Sequence, residues 1–344
     1  GDAVDYSYEE EGMIAFTPEV GDFIDGFWPS TNRIGSLCQE NLWPNSYFAK
    51  VAGTVMRADF IGLDSLYFQP GETKTRQVAF RNEGLKKSLG NVMATVSSLN
   101  SAVKTDTLFV NLGKVERRES LTDTMTVPIS FGAGVPRGCS SGLVFHFTDD
   151  NRVVYLDTVG FVIGTPDINF SENGESDMNQ WRQSSWGFSN EAYSGSASIT
   201  DSPGGNYSSN SATSLLIDAP IDLTNASNSR LVFWAKWNIE DDYDGVFIEA
   251  RANGGPWISL QGKYTKQSTG SGSGQPKGSY VYDGKQTEWV KESIDLTTFE
   301  GFGEVFIRFV LRSDDYSEED GFYFDDLQLL TYPALDNAFG DLTG

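Results

Sequence analysis

Two stretches of this 344-residue sequence alternate apolar and polar residues with a period of two: Leu231, Phe233, Ala235 and Trp237, then Val305, Ile307, Phe309 and Leu311. Successive side chains of a strand point to opposite faces, so each run buries one face of a sheet and leaves the other to water. Strand patterns at 215–217, 230–238, 245–252, 288–294, 304–312 and 321–330 fill the stretch 165–332, which contains no helix of normal length. A jelly roll of eight or more strands fits that size. The Gly/Ser-rich stretch 267–278 reads as a flexible loop between strands.

Residues 54–164 carry shorter runs at 63–68, 74–80, 91–97, 108–112, 125–131, 143–147 and 153–162. Pro70-Gly71 and Asn82-Glu83-Gly84 punctuate them as turns. Seven or so short strands at this spacing predict an immunoglobulin-like sandwich. Residues 1–53 differ. Met13 to Thr17 read as a buried strand, and 33–51 as a loosely amphipathic helix interrupted at Pro44. A strand, a loop and one helix bury too little surface to fold alone, so this piece is expected to pack on something else. Residues 333–344 read as a tail. The expected fold class is therefore mainly β, an Ig-like sandwich plus a jelly roll preceded by a short strand–loop–helix piece.

The formal charge is −23, from 25 basic and 48 acidic residues. A field of that sign repels phosphate, which argues against nucleic acid and anionic membranes as partners. No apolar run reaches the roughly 20 residues of a membrane-spanning helix. The first six residues have neither a basic nor an apolar segment of a signal peptide, and the chain is expected to start inside a longer protein. Cys38 and Cys139 permit at most one disulfide, and their pairing is left open. The single histidine, His146, sits in an alternating run, Leu143 to Phe147, and reads as a packed or edge-strand residue. A catalytic zinc of the usual type needs two or three histidines, so this chain cannot build one by itself.

Glu19 follows an apolar segment and precedes Gly21, where a partly desolvated carboxylate can serve as a general base or simply cap a strand end. The blocks Gly1 to Tyr8, Gly12 to Glu19, Gly26-Phe27-Trp28-Pro29, Arg33-Ile34 and Glu40-Asn41 resemble the last stretch of bacterial zinc metallocarboxypeptidases of the pancreatic type. The resemblance implies that 1–53 is the end of an α/β catalytic domain, that Glu19 activates a zinc-bound water, and that Val4 and Thr17 line the pocket for the substrate's last side chain. The family's zinc ligands, its substrate-carboxylate Arg and its Tyr have no counterpart here. The chain is accordingly expected to be inactive alone, with zinc belonging to a longer parent.

A second constellation is acidic. It comprises Thr200 to Tyr207, with Asp201; Trp237 to Gly245, with Glu240; and Phe322 to Leu327, with Asp325 and Asp326. One of two consecutive aspartates in a strand faces inward, where a bare carboxylate costs several kcal/mol, roughly, unless paired. Two readings stand: a calcium site built from Asp201, Glu240 and one of Asp325 and Asp326, or solvated turns with an Asp bonded to backbone N–H groups. The same segments resemble the C-terminal jelly-roll module of immune inhibitor A-type secreted metallopeptidases, related to MAM domains. That resemblance implies a structural calcium. The run Asp314 to Asp320 reads as a solvated loop. Trp181, Trp186 and Trp257 read as core residues or as a face for sugar or protein.

Together these features predict the C-terminal part of a secreted zinc metallocarboxypeptidase. Its β modules would stabilise the catalytic domain or bind a peptide substrate, a surface polysaccharide or a protein. The alternative is a stand-alone secreted adhesin that binds carbohydrate or protein.

Overall fold

The computed structural model describes residues 6, 7, 10, 15–18, 20, 21, 25–61, 68–150 and 152–335. Val4 and Glu19 lie outside them. The helix α1 (Ile34–Val51) runs unbroken through Pro44. Proline already holds a helical φ, so here it forfeits one backbone hydrogen bond without ending the helix, contrary to the expected interruption. The expected strand is also corrected where it can be seen: Ala15 to Thr17 have no strand pairing, and Thr17 is exposed. An extended segment needs a neighbouring strand for its N–H and C=O groups, and none pairs with it among the described residues. Phe16 instead stacks on Phe48 of α1 with ring centroids 4.7 Å apart.

The first sandwich uses β1 (Met56–Phe60), β2 (Thr73–Asn82), β3 (Val92–Ser98), β4 (Val103–Lys104), β5 (Leu108–Gly113), β6 (Ser120–Phe131), β7 (Ser140–Asp149) and β8 (Arg152–Val162). Its sheets are ordered β1-β2-β6-β4 and β5-β3-β7-β8. First, second and sixth strands thus face third, seventh and eighth, in keeping with an immunoglobulin-like arrangement. Phe80 meets Phe145 and Phe147 edge-on at 6.0 and 5.9 Å across the core. Strands β1 and β4 escaped the sequence reading. His146 is on β7, inside its sheet and exposed, and not on an edge.

The second sandwich contains β9 (Asp167–Glu172), β10 (Trp181–Gln183), β11 (Gly187–Ser189), β12 (Ser198–Thr200), β13 (Ala212–Ile217), β14 (Ala226–Ile239), β15 (Gly245–Ala252) and β16 (Ile258–Ser259). It continues through β17 (Lys266–Gln267), β18 (Tyr280–Val281), β19 (Gly284–Asp295), β20 (Val305–Arg312) and β21 (Gly321–Pro333). A five-stranded sheet, β10-β13-β20-β15-β16, faces a six-stranded one in which β11-β12-β21-β14-β19 is extended by β9 on β21. Both alternating runs point inward as expected: Leu231, Phe233, Ala235 and Trp237 from β14 meet Val305, Ile307, Phe309 and Leu311 from β20. Strand β21 pairs with β14 along its length, and on its other side with β12 and then β9. The register shifts near Asp325, and Asp326 takes φ +48°, so a bulge sits where β21 exchanges partners.

The sandwiches touch through Tyr332, whose hydroxyl donates to the Gly164 carbonyl at 3.1 Å, and Asn228, whose amide donates to the Gly138 carbonyl at 2.8 Å. Gly138 has φ +92°, and a Cβ there would stand 2.8 Å from that of Tyr332. Only glycine allows this approach. The stretch expected as a flexible loop is tied down. Ser268 and Gln275 are buried, and the Gln275 amide reaches Asp283 Oδ2 at 2.7 Å.

Phe309 is fully buried, stacked on Phe324 at 4.6 Å and ringed by Trp181, Trp186, Phe233 and Phe322. Phe309→Ala is expected to cost about 3–5 kcal/mol and to lower the melting temperature of the second sandwich by roughly 10 °C. Calorimetry checks this. A shift of a degree or less would show that the aromatic cluster does not hold the two sheets together.

Candidate metal centre

Burying a carboxylate is costly unless both oxygens find donors. Most buried acids of the second sandwich do. Glu172 accepts from Gly174 N–H and Trp181 Nε1, each at 2.9 Å. Glu249 accepts from Arg308 and Arg312, both at 2.7 Å. Glu292 takes three backbone N–H groups and the Tyr282 hydroxyl. Asp325, almost completely buried, accepts from the N–H groups of Tyr193 and Ser194 at 2.8 and 3.0 Å and of Asp326 at 2.7 Å.

Three acids break the pattern. Asp201 Oδ2, Glu240 Oε2 and Asp244 Oδ2 are the carboxylate oxygens left buried without a hydrogen bond among the described residues. Two of them belong to one cluster. Glu240 and Asp244 begin and end the turn between β14 and β15, and Asp314 follows β20, so two chain turns converge at one end of the sandwich. One oxygen from each of the three lies within 4.8 Å of the others. Asp244 is fully buried, and its Oδ1 accepts from the Asp314 N–H at 2.6 Å. Beside it, Tyr207 accepts the Glu240 N–H at 3.2 Å and gives its own hydrogen to the Ser317 carbonyl. Gln275, which donates to the Asp244 carbonyl, also keeps its Oε1 buried and unpartnered. Burial pushes the Asp244 carboxyl up to about 6, opposed by the Asp314 N–H and the Tyr207 hydroxyl and helped by the Asp314 and Glu240 charges. This is an oxygen-only, anionic cluster with unmet acceptors, a donor set that suits a hard cation such as calcium better than zinc, which favours nitrogen and sulfur.

The four acids read from the sequence are therefore not one site. Glu240 alone joins the cluster. Asp325 is satisfied by backbone N–H groups, and Asp326 sits on the bulge beside it. Asp201 is elsewhere, with Oδ1 accepting the Phe322 N–H at 3.2 Å. No group of three metal-ligating side chains among the described residues includes Asp201, Asp325 or Asp326. Asp244 and Asp314 were missed because the acidic runs holding them, 240–244 and 314–320, look like solvated turns. Their convergence depends on strand pairing of β15 with β20. The other acidic trio, Asp241, Asp242 and Asp283, is already neutralised by the Lys266 ammonium at 2.5, 2.9 and 3.1 Å.

Among the described residues no side-chain group fits a catalytic zinc. His146 has Ser97 as its neighbour, Cys38 is exposed on α1, and Cys139 is buried in the first core; both cysteines are free. Trp181 and Trp186 are core residues. Among the described residues no helix is long and apolar enough to cross a membrane.

No family model matches the chain. Over 125 residues, 36% of its length, it is 30% identical to Bacillopeptidase F of Bacillus subtilis (strain 168). The chain spans 7% of that protein's length. Among solved structures it is similar to the CBM22-1 xylan-binding domain from Paenibacillus barcinonensis Xyn10C, with 15% identity over 50% of this chain and 98% of that one and a TM-score of 0.30. It is also similar to the secreted serine protease VesC from Vibrio cholerae, with 12% identity over 87% of this chain and 55% of that one and a TM-score of 0.24. At such scores neither structure assigns a ligand or an activity to this chain.

Asp201 offers a test of the burial argument. Burial raises its pKa from the ordinary 3.8 to about 7, helped by the nearby Asp320 charge and opposed by the Phe322 N–H and Ser202. The folded state then binds a proton more tightly than the unfolded chain, so its contribution is present below about pH 4 and is lost as pH rises towards 7. Between pH 6 and 7.5 the urea midpoint is expected to fall, and Asp201→Asn is expected to remove most of that fall. An unchanged slope in the variant would place the titration elsewhere.

Proposed function

We propose that this chain is an accessory region of a secreted peptidase, in which β-sandwich modules hold and position a catalytic domain rather than perform the chemistry. The observation that carries this reading is the match to Bacillopeptidase F. A second observation agrees with it. Phe27 and Trp28 are about fully exposed, at 101% and 94%, and Leu42 and Trp43 of α1 at 66% and 71%. An apolar surface of that kind is normally covered by protein. A catalytic body packed on residues 1–53 would cover it.

The finer reading, that this body is a zinc metallocarboxypeptidase with Glu19 as its general base and Val4 and Thr17 at its specificity pocket, rests on the sequence resemblance of residues 1–53. The relative's name specifies a peptidase, not a carboxypeptidase. The zinc would be held outside this chain, and no step of catalysis is assigned to its residues. The adhesin alternative leaves the aromatic surface of α1 without a function. The expected natural product is a secreted protein longer than 344 residues with peptidase activity. Intact mass and an assay on the purified natural protein check both. A natural product of this length without peptidase activity would overturn the reading.

The cation belongs to the same proposal. Glu240, Asp244 and Asp314 would hold calcium between the ends of β14, β15 and β20, supplying carboxylate oxygens to its usual about 6–8. Its role there is to neutralise the trio and fasten the β14–β15 turn to the one after β20. Calcium at 100 times its dissociation constant would stabilise the fold by about 2.7 kcal/mol. A calcium-dependent rise in melting temperature is expected for the chain and not for Glu240→Gln or Asp244→Asn. An equal rise in both variants would move the site elsewhere.

A further inference from the structure

The outer face of the five-stranded sheet is basic in a strongly acidic protein. Its inward residues, Val246, Ile248 and Ala250 of β15 and Ile307, Phe309 and Leu311 of β20, fill the core. The alternate positions lie on the other side of the sheet: Phe247, Glu249 and Arg251, against Phe306, Arg308, Val310 and Arg312, with Arg251 opposite Phe306 and Glu249 opposite Arg308; Phe247, Glu249 and Val310 are themselves buried, and the arginines and Phe306 are half-buried. Trp257, just before the edge strand β16, closes one side. Arg308 and Arg251 lie over its ring at 4.0 and 4.6 Å, and Arg251 also lies over Phe306 at 5.3 Å. Arg312 lies over Phe247 at 4.6 Å.

Glu249 serves two of these arginines, one with each carboxylate oxygen. Three arginines against one glutamate leave this face with two positive charges. Arg251 is the one without a carboxylate. Its side chain makes no hydrogen bond or ion pair with another described residue, and its Nε is buried without a partner. The aromatic rings hold the guanidinium in place and take little of its hydrogen-bonding capacity. A positioned, unpaired guanidinium next to a second positive charge is a receptor for a planar oxyanion, which it binds through two parallel N–H bonds.

We infer that this face binds a carboxylate-bearing polysaccharide, a polyuronate, with Arg251 as its central contact. The proposal extends the accessory-module reading and does not depend on which peptidase is attached. Charge complementarity selects a polyanion, since the remainder of the chain repels one. The sheet's edges, β10 and β16, are three and two residues long, so a peptide finds little backbone ladder to join. Recognition falls to the half-buried arginines and rings of this face. A stiff glycan with a carboxylate fixed to each ring loses less freedom there than a peptide with flexible acidic side chains.

Titration calorimetry of the whole chain tests this with three probes: polygalacturonate, neutral galactan and poly-L-glutamate. EDTA in the buffer excludes calcium bridges to the Glu240 cluster. Polygalacturonate is expected to bind, more weakly as salt is raised, and galactan not to bind. Loss of a charge-assisted bond in Arg251→Ala or Arg251→Gln weakens binding at least about tenfold. Arg251→Lys, which keeps the charge but loses the planar fork, also weakens it. Arg81→Ala, in the first sandwich, leaves it unchanged. Melting curves confirm that each variant is folded, and the lysine variant serves if the smaller side chains unfold the sheet. Equal binding of galactan, tighter binding of poly-L-glutamate, no binding of polygalacturonate, or folded Arg251 variants that bind as the parent does would each overturn the proposal.

Discussion

A buried carboxylate has to be met by donors, and the second sandwich is arranged around that requirement. Glu172 is met by an indole and a backbone N–H, Glu292 by a tyrosine and three backbone N–H groups, and Asp325 by a loop that bends over β21. Each such acid fastens a neighbouring segment to the sheets: the turn after β9, the loop 262–264, and the loop 193–194. Against that background the unmet oxygens of Glu240 and Asp244 are exceptional. They gather with Asp314 at one end of the sandwich, where a divalent cation would do for the turns what N–H groups do elsewhere.

The same economy explains the opposite face. Glu249 is buried because two arginines meet it, and those arginines are there because the outer face of the sheet carries aromatic rings that support them. One guanidinium is left over. A site for cations and a site for anions thus arise in one module from the same rule, applied to charges of opposite sign.

Much of the fold was legible in the sequence. The alternating runs in 231–237 and 305–311 marked two facing strands of the second core, and the short strands of 74–162 marked the first sandwich. Other features were not. Pro44 looked like an interruption, but an exposed helix tolerates one missing hydrogen bond. The Gly/Ser-rich loop looked flexible, but Gln275 anchors it. One of Asp325 and Asp326 was expected to face the core; Asp325 is buried instead beside Trp234 under the loop 193–194, and the bulge next to it has no local signature. The acid cluster was half legible. Glu240 and Asp244 are neighbours in sequence, whereas Asp314 arrives only through the pairing of β20 with β15.

The central claim is that the unmet oxygens mark a cation site at Glu240, Asp244 and Asp314. Anomalous scattering from crystals grown with calcium tests it most directly. A single peak within about 2.3–2.6 Å of an oxygen from each of the three is the expected result. An empty cluster at saturating calcium, or a peak bound instead by Asp201 or Asp325, would contradict it.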